Sequence, residues 1–120
     1  MAAPSCLILL VEDDPDLRDS VKEILVDEGC QVECSEDGAS AFAWLATGQR
    51  PALVLLDFFM PRMNGWEFLE QLQARPGLRD LPVVAMSASR VRHPAVAATL
   101  PKPFDISALV NTVRQVVGSV

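Results

Sequence analysis

Five side chains in this sequence have types and positions that could do chemistry together: Glu12, Asp13, Asp57, Ser87 and Lys102. Asp57 is delivered by the aliphatic run Leu53 to Leu56, and the chain then turns through Pro61, Asn64 and Gly65. Glu12 and Asp13 follow a second run, Cys6 to Val11, and Ser87 follows a third, Pro82 to Met86. Apolar runs of this length, bounded by turn residues, read as strands buried on both faces. In open α/β sheets ligands bind beyond the carboxyl ends of such strands. Three carboxylates crowded on one rim raise one another's pKa unless a cation sits among them. Oxygen-only donors with open positions suit a hard ion such as Mg2+, which keeps waters and takes few protein carboxylates. A hydroxyl and an ammonium alongside offer a phosphoryl group a donor for its oxygens and positive charge to offset it. The implied chemistry is a Mg2+-assisted phosphoryl site with Asp57 as nucleophile. Acids at strand ends also serve as helix caps, and Asp14 before Pro15 reads as one. Joint occurrence at successive strand ends is what separates the other five from capping.

The elements that must position these groups alternate between strand and helix. After Cys6 to Val11, the residues Leu17, Val21, Ile24 and Leu25 fall at helical spacing and Gly29 supplies a stop. Gln31 to Ser35 alternates weakly as a short strand, and Asp37 opens a helix bearing Ala41, Phe42, Trp44 and Leu45, closed by Gly48. Beyond the Asp57 strand, Phe68, Leu69 and Leu72 mark a third helix that ends before Pro76-Gly77. Ala88 to Ala98 carries Pro94 and poor periodicity, which predicts a loop or at most a helical turn. Thr99 and Leu100 are assigned to a short fifth strand. Asp105 caps a last helix with Ile106, Leu109, Val110, Val113, Val116 and Val117 on one face. Such alternation implies a doubly wound α/β fold, a five-stranded parallel sheet with helices on both faces and right-handed crossovers.

Composition narrows the class. A chain of 120 residues, 50% hydrophobic and 22% charged, suits one globular domain over 1–120. The net charge of −6 argues against direct nucleic-acid binding, because phosphate backbones reward Lys and Arg. Cys6, Cys30 and Cys34 make an odd count, and Cys6 to Val11 is too short for a secretory core or a membrane span. Buried free thiols in a reducing, cytoplasmic setting are expected. His93 alone cannot furnish a zinc site.

Together these features resemble the receiver domains of bacterial two-component response regulators, over essentially the whole chain. The resemblance rests on Leu-Val-Glu-Asp-Asp at 10–14, Asp57 with Met-Pro-Arg-Met-Asn-Gly at 60–65, Met-Ser-Ala at 86–88 and Lys-Pro-Phe at 102–104. It implies a flavodoxin-like sheet in the order 2-1-3-4-5. It implies that Asp57 accepts phosphate from a phosphohistidine on a sensor histidine kinase or phosphotransfer protein. Asp13 would ligate Mg2+ directly and Glu12 through water, with Asp57 and the Phe59 backbone carbonyl as further ligands. Ser87 would hydrogen-bond the phosphoryl group and Lys102 pair with it, a cis peptide following the lysine. Output would pass by contact to a separate downstream protein. Exposed residues of 15–28 would dock the kinase. A pseudo-receiver scaffold that binds partners without phosphorylation is the alternative, and a metal-dependent phosphatase on a related fold a third reading.

The sequence departs from this pattern in two places. The interval from Ser87 to Lys102 is short by close to two helical turns, which predicts that the fourth helix is short or absent. Three residues before Lys102, where receivers carry an aromatic that swings inward on activation, stands Thr99. An intact phosphoryl site with an impaired output switch is expected. Phe58 reads as packing and Phe59 as a ring projecting over the site, slowing hydrolysis of an acyl phosphate. Trp66 reads as core packing near the site, and His93 as a solvated loop residue.

Overall fold

The computed structural model describes residues 6–118. Strands β1 (Leu7–Val11), β2 (Gln31–Ser35), β3 (Leu53–Asp57), β4 (Val83–Ser87) and β5 (Val96–Pro101) form one sheet in the order β2-β1-β3-β4-β5. Every neighbouring pair is parallel, so the doubly wound fold expected from the alternation is the fold observed. The strands' period of two divides the aliphatic side chains between two layers. Leu9, Val11, Val54, Leu56, Val83 and Ala85 point to one face, covered by Phe42, Leu45, Phe68, Leu69 and Leu72. These come from α2 (Gly38–Leu45) and α3 (Gly65–Gln73). Ile8, Leu10, Leu53, Leu55, Val84 and Met86 point to the other. There Val21 and Leu25 of α1 (Pro15–Asp27) and Leu109 and Val113 of α4 (Ile106–Val117) cover them. This is why β3 and β4 read as unbroken apolar runs: all five residues of each are buried.

Capping places the helix starts where the acids predicted them. Asp14 accepts from the Asp16 and Leu17 amides, Asp37 from Ser40 and Asp105 from Ala108. Asn64 and Glu67 exchange hydrogen bonds as a capping box at the start of α3. Gly29, at a φ of 94°, stops α1 in a conformation that side-chain-bearing residues rarely adopt. Ile106 is the exception on the apolar face of α4, 61% exposed at its first turn.

No helix lies between β4 and β5 among the described residues; 88–95 form bends, irregular backbone and a turn at Pro94-Ala95. Of the short or absent fourth helix expected from the interval, absence is the outcome among the described residues, and α4 is the helix that follows the fifth strand. That strand is longer than Thr99-Leu100 and begins at Val96. Val96 pairs with Val83 and Ala98 with Val84 across a register shift, and the small residues Ala97 and Ala98 gave no alternation to reveal it. No described helix is long and apolar enough to cross a membrane.

Candidate functional site

The carboxyl ends of four strands meet at one rim. Asp57 is the last residue of β3 and is 4% exposed, while Glu12, one residue beyond β1, is 1% exposed. Asp13 next to it is exposed. One carboxylate oxygen from each of the three lies within 4.8 Å of the other two. Lys102 enters from beyond β5, its Nζ 3.3 Å from Glu12 Oε1 and 3.3 Å from Asp57 Oδ1. Ser87, at the end of β4, is buried, and its carbonyl accepts the Lys102 amide at 2.9 Å. The Lys102–Pro103 peptide is cis. All five sequence-selected side chains thus belong to the same rim.

Local hydrogen bonds hold each group. Asp57 Oδ1 accepts the Phe59 amide at 3.1 Å, so the Phe59 backbone borders the site while its ring is 65% exposed. Glu12 Oε2 accepts the Asp14 amide at 3.1 Å. The Glu12 amide donates to the Ser35 carbonyl, and its own carbonyl accepts from the Arg18 guanidinium at 3.0 Å. Ser87 Oγ accepts the Ser89 amide at 3.0 Å, which leaves its own O–H free to donate.

Burial, together with the neighbouring Asp57 carboxylate, pushes Glu12 from the ordinary carboxylate range up to about 7, against the pull of the Asp14 amide and the Lys102 ammonium. One ammonium therefore leaves negative charge uncompensated among three carboxylates. Oxygen donors in surplus over cationic charge, two of them on buried residues, fit a hard divalent cation.

A second set of contacts supports Asp57 from behind. Phe58 is 1% exposed, and its carbonyl accepts the Gly65 amide at 3.0 Å. A Cβ on Gly65 would overlap the Phe58 ring, so the close approach of α3 to the end of β3 requires glycine there. Phe58 meets Trp66 edge-on with centroids 5.2 Å apart, and Trp66 meets the His93 ring at 5.8 Å. This corrects two expectations: Trp66 is 46% exposed and not core, and His93 is half-buried against it, its Nδ1 accepting the Ala95 amide. Sequence reasoning also missed Arg18. Its place one turn into α1, six residues after Glu12, was the available signal.

A profile of the response regulator receiver domain matches residues 8–114. The response regulator Rre1 of a Synechocystis species is 34% identical over 126 residues, covering 98% of this chain and 54% of the relative. The response regulator MprA of a Mycobacterium species is 35% identical over 114 residues, covering 89% of this chain and 48% of the relative. The chain thus spans about half the length of these curated relatives. Among solved structures, the receiver domain of a sensor histidine kinase from Pseudomonas aeruginosa, with magnesium coordinated in its active-site cleft, aligns with a TM-score of 0.84. It is 26% identical, with 96% of this chain and 99% of that one covered.

Proposed function

This chain belongs to the response regulator receiver domain family, and on that footing we propose that it is a phosphoacceptor that takes a phosphoryl group onto Asp57. The donor is a phosphohistidine of a sensor histidine kinase or phosphotransfer protein, and output passes by contact to a downstream protein. The observation that carries the reading is the bridging position of Lys102, its ammonium 3.3 Å from both Asp57 and Glu12 beside a cluster of three carboxylates.

Oδ1 of Asp57 is engaged by the Phe59 amide and by Lys102, which favours Oδ2 as the attacking oxygen. The new O–P bond forms as the P–N bond to the imidazole breaks, its electron pair returning to the ring nitrogen. Glu12, Asp13, Asp57 and the Phe59 carbonyl would hold Mg2+. Bound there, the ion would supply charge neutralisation for the carboxylates and the incoming phosphoryl oxygens. Lys102 pairs with the phosphoryl group once it is in place, and the free O–H of Ser87 turns to donate to it. The test is to incubate the chain with Mg2+ and acetyl phosphate and weigh it: one stoichiometric phosphoryl adduct is expected.

Two expectations follow from the surroundings. The Phe59 amide bonds Asp57 and its side chain is exposed; on the proposed reading the ring hinders the water that hydrolyses the acyl phosphate, so Phe59→Asn should speed its decay several-fold. A decay followed by phosphate release and unchanged in the variant would remove Phe59 from this role. The Thr99 hydroxyl donates to the Val91 carbonyl at 3.1 Å, tying the 88–95 segment to β5 with no ring to swing. Amide resonances of 88–101 should therefore move little when beryllofluoride fills the site. A large rearrangement there would show that the switch survives by another route.

A further inference from the structure

Where the fourth helix is missing, a cleft of about 370 Å³ opens between the 88–92 segment and β5, lined by Ala88, Arg90, Val91, Arg92, Thr99 and Pro101. Val91 is turned into the core at 8% exposure, while Arg90 and Arg92 on either side are exposed. Both arginines line the cleft on either side of Val91. Neither arginine makes an ion pair among the described residues. The cleft also runs beside β5, the last strand in the sheet order, whose outer edge has no strand neighbour among the described residues. Edge strands present unpaired amides and carbonyls that an extended segment can use.

We propose that this cleft docks an extended, acidic segment of a partner protein. Its carboxylates meet Arg90 and Arg92 and a small apolar side chain rests between Val91 and Pro101. The arginines are the reason for an acidic occupant: a guanidinium takes a carboxylate through two parallel hydrogen bonds. A second copy of this chain is the competing occupant, and the test below separates it from a partner segment. A short segment answers only to the two arginines nearby, because charges beyond about 10 Å are largely screened at ordinary salt. The docking goes beyond phosphate acceptance and needs neither Mg2+ nor phosphorylation.

The test uses the unphosphorylated chain and a blocked, fluorescent peptide alternating aspartate and valine, followed by anisotropy and by amide chemical shifts. Saturable binding is expected, with shifts confined to 88–92 and 96–101. The same peptide with asparagine in place of aspartate should bind about tenfold more weakly, as should the Arg90→Ala/Arg92→Ala chain with the acidic peptide. Equal binding of the asparagine peptide would overturn the proposal without reliance on any variant. So would shifts centred elsewhere, or an unchanged affinity in the double variant. A dimer that depends on Arg90 and Arg92 and that the acidic peptide fails to dissociate would overturn it in favour of self-association. None of these outcomes depends on whether Asp57 takes phosphate.

Discussion

Asp57→Ala should abolish the phosphoryl adduct outright while leaving the fold intact. No adduct is expected on Glu12, which is held by the Asp14 amide and Lys102. The change should also not cost stability at neutral pH. Glu12 stands at about 7 in the folded chain against 4.5 ordinarily. The native state therefore holds a proton that the unfolded state has released between those values, and stability falls as pH rises through that window. Asp57 is among the causes of the shift, so removing it lessens the penalty. Mass spectrometry after acetyl phosphate and Mg2+, with a thermal melt above pH 7, checks both halves. An adduct of equal stoichiometry in the variant would place the acceptor elsewhere.

Phe58→Ala should be the most damaging single substitution near the site. The ring is fully enclosed, pressed between Gly65 and Trp66. Truncating a buried Phe costs about 3–5 kcal/mol through lost transfer energy and the cavity left behind. Against a total stability of roughly 5–15 kcal/mol for an ordinary domain, that loss leaves many domains only marginally folded. Urea denaturation should show a lower midpoint with an unchanged slope. A loss under about 1 kcal/mol would mean that the neighbourhood collapses into the space.

The sheet was legible because β1, β3 and β4 are buried on both faces and carry continuous aliphatic runs, and because acids cap α1, α2 and α4. The rim was legible because Glu12, Asp13, Asp57, Ser87 and Lys102 each end or follow a strand. What escaped was set by tertiary contact. The early start of β5 depends on pairing with β4 across a register shift, which small alanines do not announce. Trp66 and His93 meet because the 88–95 segment lies against α3, a juxtaposition with no local sequence signal. Arg18 reaches back to the Glu12 carbonyl across a helix start, where periodicity marks only the apolar face.

The missing helix also bears on how the chain acquires its shape. Val83 pairs with Val96, only thirteen residues on, whereas Leu7 reaches to Gln31, Val54 to Val83 and Ile8 to Leu53. Loop-closure entropy rises with the length of chain enclosed, and pairings close in sequence form faster. The β4–β5 pairing is accordingly the least costly of the four to close. The two strands that bring Ser87 and Lys102 to the rim are joined by the sheet's shortest loop, so this part of the site can assemble before the longer crossovers have been made.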